Sequence, residues 1–149
     1  MAAPGAYTVR LTAGRFSQTQ VLEVRLDPRV TADRVTAADL EDQLRFNLQL
    51  RDTITAARIA AFRLTEVRDK IRKSNQSPER SKQVEALLSR LVTAGGPYPQ
   101  PMLIDQLLYI YRMTTQSDQK IGHDASLRLA DLSKELAAIL AEVREALRQ

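Results

Sequence analysis

From Ala37 to Lys73 the chain contains neither proline nor glycine. Apolar residues return there at steps of three and four: Leu40, Leu44, Leu48, then Leu50, Ile54, Ala57, Ala61 and Leu64, with Val67 and Ile71 closing the series. That period belongs to a helix, and a run of this length is well above the usual helix. A chain of 149 residues built around such an element has room for one domain, or for a domain with an appendage. Thr36 followed by Asp39 has the pattern of a capping box and marks the start.

Three more helices follow from the same reasoning. Ser77 and Pro78 stand at a helix start, with Ser77 expected as the cap and proline in the first turn. Val84, Leu87, Leu88 and Leu91 supply the inner face, and Gly95 with Gly96 is expected to end the helix. Pro97, Pro99 and Pro101 then stiffen an extended lead-in. From Met102, the residues Leu103, Leu107, Ile110 and Thr114 share a face that Ile104, Leu108 and Tyr111 widen. With only Asp105 and Arg112 charged up to Gln116, this helix is expected to be buried on several sides. In the last helix Leu129, Leu132, Leu136, Ile139, Val143 and Ala146 recur at alternating steps of three and four, a heptad seam. The expected helices cover about 37–73, 78–93, 102–116 and 124–148, with short connections that favour antiparallel neighbours.

The N-terminus carries a different period. Tyr7, Val9 and Leu11 alternate with Thr8 and Arg10, and Leu22, Val24 and Leu26 alternate with Glu23 and Arg25. These are half-buried strands, with the segment from Thr12 to Gln20 and its Gly14 expected as the turn of a hairpin. The fold class is therefore mainly α: a β-hairpin over residues 1–30, then a four-helix, largely antiparallel bundle over 31–149. Two strands alone are marginal in water and expose edges. The hairpin face of Tyr7, Val9, Leu11, Leu22, Val24 and Leu26 is thus the candidate binding surface, for a protein partner or a neighbouring domain or subunit.

Chemistry-bearing constellations are scarce. The chain has no cysteine, which excludes disulfides and thiolate metal sites, and its one histidine, His123, lies beside Asp124 where a helix begins. Asp124 is expected to cap that helix, a reading preferred to a general base with an orienting carboxylate. No serine has a G-x-S-x-G context, and the glycines form neither a P-loop nor a dinucleotide fingerprint. No catalytic residue, cofactor or metal ligand is assigned, and no enzymatic activity is expected. The surface carboxylates have basic neighbours three or four residues away, as in Glu66 with Lys70 and Glu145 with Arg148. Arg45, Arg51, Arg58 and Arg63 are expected to lie along a bundle flank.

Formal net charge is +4, from 22 Lys and Arg against 18 Asp and Glu. A cluster from Arg68 to Lys82, with Arg68, Lys70, Arg72, Lys73, Arg80 and Lys82, is a candidate anion patch. No aromatic residue interleaves with it, so nucleic acid is not expected as a partner. No apolar run approaches the length of a membrane span, and the first residues have no signal-peptide pattern.

The segments "PGAYTVRLTAGRFSQTQVLEVRLDPRV", "ADLEDQLRFNLQLRD" and "GPYPQPMLIDQLLYIYRMTTQSDQKIGHDA" together resemble the C-terminal region of bacterial sortilin-like, BNR-repeat proteins, often labelled glycosyl hydrolases. The resemblance covers the chain from Pro4 to Leu147. It implies that the hairpin holds the closing strands of an Ig-like sheet after a β-propeller, and that the helices form an accessory bundle. Any sugar chemistry would belong to the propeller, so no catalytic residue carries over. The resemblance implies a non-enzymatic interaction or assembly domain of an exported protein, periplasmic or extracellular. The alternative is the accessory domain of a propeller-type hydrolase acting on carbohydrate or peptide. A further alternative is an anion- or nucleic-acid-binding bundle using the basic cluster.

Overall fold

The computed structural model describes residues 2–74 and 77–148. Two antiparallel strands, β1 (Gly5–Ala13) and β2 (Phe16–Val24), form a hairpin. A five-residue helix α1 (Pro28–Ala32) follows, then α2 (Ala37–Ser74), α3 (Pro78–Leu91), α4 (Leu103–Thr115) and α5 (His123–Arg148). The protein is a β-hairpin followed by a helical bundle.

The hairpin turns more tightly than the alternation of its flanks suggests. Only Gly14 and Arg15 separate the strands, and Gly14 has φ +60°, a conformation glycine takes without steric cost. Phe16, Gln18 and Gln20, expected in the turn, belong to β2 and continue the alternation back from Leu22. Pro28 ends the strand region and also opens α1, where its missing N–H is no loss. Asp27 caps that helix: its carboxylate accepts from the Arg29 backbone N–H at 2.9 Å and from the Arg29 guanidinium at 2.6 Å. The side-chain bond from Arg29, then its backbone bond, holds the Asp27 carboxyl at about 2, below its ordinary 3.8. A lowered pKa makes the cap complete above the ordinary carboxylate range and lost as pH falls through about 2. A pH titration followed by NMR should show Asp27 as the most acidic side chain of the hairpin–α1 segment; an ordinary titration midpoint would refute the cap.

The capping box of α2 forms as expected. The Thr36 hydroxyl accepts from the Asp39 N–H at 3.2 Å, and the Asp39 carboxylate accepts from the Thr36 N–H at 3.0 Å. The same carboxylate accepts from the Thr36 hydroxyl at 2.7 Å, which with the backbone bond lowers the Asp39 pKa. At the other helix starts, expectation and structure differ. Ser77 makes no side-chain capping bond and has φ +54°, so proline rather than the serine side chain defines the start of α3. Helix α3 ends at Leu91, before the two glycines: Val92 is extended, and its N–H closes the last turn on Leu88 O at 2.9 Å. Asp124 lies inside the first turn of α5, whose His123 is the first helical residue, and Ser126 N–H bonds back to Gly122 O.

Helix α2 packs against α3, α4 and α5 and is the spine of the bundle. The core joins Leu50, Ile54, Ala57 and Leu64 of α2 with Leu87 and Leu91 of α3, Leu103, Leu107 and Ile110 of α4, and the whole α5 seam. Arg90 of α3 and Glu142 of α5 pair across the surface at 2.8 Å. Residues Leu129, Leu132, Leu136, Ile139, Val143 and Ala146 are all buried, as the heptad spacing predicts. Helix α4 follows its expectation in part. Leu103, Leu107, Ile110 and Thr114 are buried and Ile104, Leu108 and Tyr111 pack half-buried against the core, but Tyr109 and Met113 are 65% and 51% exposed, so one side of the helix stays open. The proline segment is tied down at its end, where Met102 N–H donates to Thr93 Oγ1 at 2.9 Å.

A buried polar cluster joins α2 to the end of α4. Gln43 Nε2 donates to Thr114 O at 2.7 Å and to Ser117 O at 2.8 Å. Asn47 Nδ2 donates to the same Thr114 carbonyl at 3.0 Å, and Asn47 Oδ1 accepts from the Thr114 hydroxyl at 2.6 Å. The last carbonyls of any helix lack intrahelical partners, and here two side chains of another helix supply them.

Candidate functional site

The hairpin sorts its side chains by register. Residues directly opposite in an antiparallel pair share a face. Tyr7 faces Leu22, Val9 faces Gln20, Leu11 faces Gln18, Ala13 faces Phe16, and Gly5 faces Val24. One surface therefore gathers Tyr7, Val9, Leu11, Phe16, Leu22 and Val24 around two glutamines. The other pairs Thr8 with Val21, Arg10 with Thr19, Thr12 with Ser17, and Ala6 with Glu23. Five of the six sequence-derived hairpin residues lie on the apolar face. Leu26 lies beyond the end of β2 and is half-buried, so it is not part of the paired surface. Phe16 joins the surface instead; extending the alternation back from Leu22 through Gln20 and Gln18 is the signal that finds it.

This apolar face is uncovered. Among the described residues neither strand packs against a helix. Leu11 is 63% exposed, Phe16 54% and Leu22 53%. A shallow depression of about 430 Å³ lies over Val9, Leu11, Gln18, Gln20 and Leu22. Both strands also keep one edge without a partner strand, since the sheet has only two.

The residues of the basic cluster differ in their partners. Arg68 pairs with Asp69 at 2.9 Å and Lys82 with Glu79 at 3.6 Å. Arg80 reaches the Ala146 carbonyl at 3.4 Å, near the end of α5. Lys70 and Arg80 meet at a pocket of about 390 Å³ with Ser74 and Ser77. Arg72 and Lys73 are exposed on the last turn of α2. The basic segment also includes Asn75 and Gln76, which lie outside the described residues.

A cavity of about 700 Å³ was not anticipated from the sequence. It opens between α4, the start of α5 and the proline segment, over Pro101, Tyr109, Met113, Asp124 and Arg128. It exists because α4 leaves its Tyr109–Met113 side uncovered. His123 is exposed at the start of α5. Among the described residues no group of three His, Asp or Glu is placed to hold a metal ion, and no helix is long and apolar enough to cross a membrane. Of the surface pairs expected from spacing, Glu145–Arg148 forms at 3.0 Å, whereas Glu66 has no ion pair among the described residues.

Comparison with protein-family models, with curated proteins and with solved structures found no match to this chain.

Proposed function

We propose that this chain is a non-enzymatic interaction and assembly domain, and that its hairpin completes a β-sheet supplied by a neighbouring domain or subunit. The observation that carries this reading is the uncovered apolar face beside two unpaired strand edges. The bundle closes its own core without the hairpin, so the cover comes from elsewhere. A face two strands wide and nine residues long offers only on the order of 300 Å² at ordinary strand spacing and rise. That is far below the ~800 Å² per partner of a standard interface. Face contact alone does not hold such a partner. Edge pairing adds main-chain hydrogen bonds while alternate side chains enter pockets, the physics of strand addition. The occupant is therefore a sheet.

The resemblance to the C-terminal region of sortilin-like, BNR-repeat proteins supports the same reading, because it makes these strands the closing pair of an Ig-like sheet. On that basis the domain works in an exported bacterial protein. Hydrogen exchange on the isolated chain tests the proposal. Amides of β1 and β2 should exchange rapidly, while those of α2 and α5 stay protected. Removing residues 1–27 should leave the helical signal and melting transition of the bundle in place. Strong protection of both strands in a demonstrated monomer would sink the reading.

A further inference from the structure

Where α2 gives way to α3, the bundle holds a pocket whose charged lining is wholly positive. Val67, Lys70, Ile71 and Ser74 of α2, Ser77 before α3 and Arg80 in its first turn enclose about 390 Å³. That volume falls within the ~300–1,000 Å³ of small-molecule sites. Among the described residues neither Lys70 nor Arg80 makes an ion pair, unlike Arg68 and Lys82 beside them. The Arg80 guanidinium has one long bond, from Nη2 to Ala146 O at 3.4 Å, and its Nε is buried with no hydrogen-bond partner. Buried donors in folded proteins are nearly always paired, and an unpaired one calls for an acceptor from outside the chain. Ser77 makes no side-chain capping bond, so its hydroxyl is available to donate. Ser74 Oγ already donates to Ile71 O at 3.1 Å and bounds the pocket without a spare donor.

The nearby carboxylates stay outside the lining. Asp69 is held by Arg68 at 2.9 Å and Glu79 by Lys82 at 3.6 Å. Glu66 is exposed one turn back from Lys70 and does not line the pocket. From Glu66 to Lys82, six Lys and Arg stand against these three carboxylates. The last carbonyls of α2 are the other negative neighbour, and Arg72 and Lys73 on that turn offset them. Val67 and Ile71 pack against the core and give the pocket an apolar wall. Two unpaired cations and a hydroxyl beside an apolar wall suit a compact dianion attached to carbon. A phosphate ester carrying about −1.5 to −2 charges at pH 7 has that charge and shape. A single carboxylate would leave one of the two cations uncompensated.

We infer that this pocket is a binding site for a phosphomonoester. Lys70 meets the phosphate as a point charge and Arg80 through its planar set of N–H groups, the two ways in which these side chains hold phosphate. Ser77 adds a hydroxyl donor, and Val67 with Ile71 meets the carbon of the ester. The structure thereby narrows the basic cluster of the sequence to two of its six members. Arg68 and Lys82 are spent on carboxylates, and Arg72 and Lys73 do not line the pocket. The same headgroup chemistry belongs to a soluble phosphate ester and to phosphatidic acid in a membrane. The site lies in the bundle, does not involve the hairpin, and stands or falls apart from it.

The test is an NMR titration of the full chain with glycerol 3-phosphate at fixed ionic strength, beside co-sedimentation with phosphatidylcholine vesicles that contain phosphatidic acid. Amides of Lys70, Ile71, Ser74 and Arg80 should shift together and saturably with the free ester, and less with acetate. Lys70→Gln should weaken binding about tenfold or more, the worth of one charge-assisted hydrogen bond, whereas Arg72→Gln should change it less than about threefold. Lys70 is exposed and makes no ion pair among the described residues, so its variant is expected to fold; circular dichroism checks this. Binding of the free ester assigns the ligand to a soluble molecule. Binding of the vesicles alone, lost in Lys70→Gln but kept in Arg72→Gln, assigns it to a lipid headgroup; either result supports the pocket. Unchanged affinity in Lys70→Gln, or equal losses in the two variants, would mean diffuse attraction to surface charge and would overturn the proposal. So would the absence of both a saturable shift and vesicle binding.

Discussion

Leu132→Ala is expected to remove about 2–5 kcal/mol of folding stability, whereas Leu127→Ala in the same helix should change it by less than about 0.5 kcal/mol. Both residues are leucines of α5, five positions apart. Leu132 is fully buried in the seam, while Leu127 is 54% exposed. Truncating Leu132 removes the transfer free energy of its side chain and leaves a cavity among residues of α2, α3 and α4 that cannot all close on it. Truncating Leu127 leaves only water behind. Urea denaturation of the two variants provides the comparison, with the midpoint shifting and the slope unchanged if the folded core alone is affected. Similar losses at both positions would mean that the heptad seam is not the inner face of α5.

The second large effect is expected at the buried amides. Gln43→Met keeps the volume and removes two donors and an acceptor; it should cost about 1–3 kcal/mol, the penalty of leaving buried backbone groups unpaired. Asn47→Leu should cost a similar amount for the same reason. The double variant is more informative. Thr114 O accepts from both Gln43 at 2.7 Å and Asn47 at 3.0 Å. Each single change leaves that carbonyl one donor, and the double change leaves it none from these side chains. The losses should therefore exceed additivity by about 0.5–3 kcal/mol in a double-mutant cycle. Strict additivity would show that the two amides act separately and that the end of α4 finds other partners. Gln119 N–H, which donates to Gln43 Oε1 at 3.3 Å, provides a local readout by amide exchange.

These two predictions rest on different kinds of information. The Leu132 contrast was readable from spacing, because a helix repeats every 3.6 residues and the seam keeps one phase from Leu129 to Ala146. The importance of Gln43 and Asn47 was not. Both are polar, and a sequence pattern assigns polar residues to the outside. They are buried because the end of another helix, some 70 residues away in the chain, needs donors. The candidate site divides in the same way. Alternation placed Tyr7, Val9, Leu11, Leu22 and Val24 on one face, since successive strand residues point to opposite sides. It did not place Phe16, because the segment from Thr12 to Gln20 has the pattern of one long turn, whereas Gly14 and Arg15 alone make the turn.

What the sequence by itself determined is local: the long helix from Ala37, its capping box at Thr36 and Asp39, the α5 seam, the two strands and the absence of thiol chemistry. Each follows from neighbours within a turn or a pleat, where backbone geometry alone decides which residues share a side. What only the tertiary structure decided is which apolar sides find cover. Helix α2 buries the side that faces α3, α4 and α5, while its Leu48, Ile59 and Phe62 stay exposed. Helix α4 is apolar over much of its circumference, yet Tyr109 and Met113 face a cavity. The hairpin has one apolar face that no helix among the described residues meets. Periodicity defines a face, but burial requires a second surface at contact distance, and that depends on elements far apart in the chain.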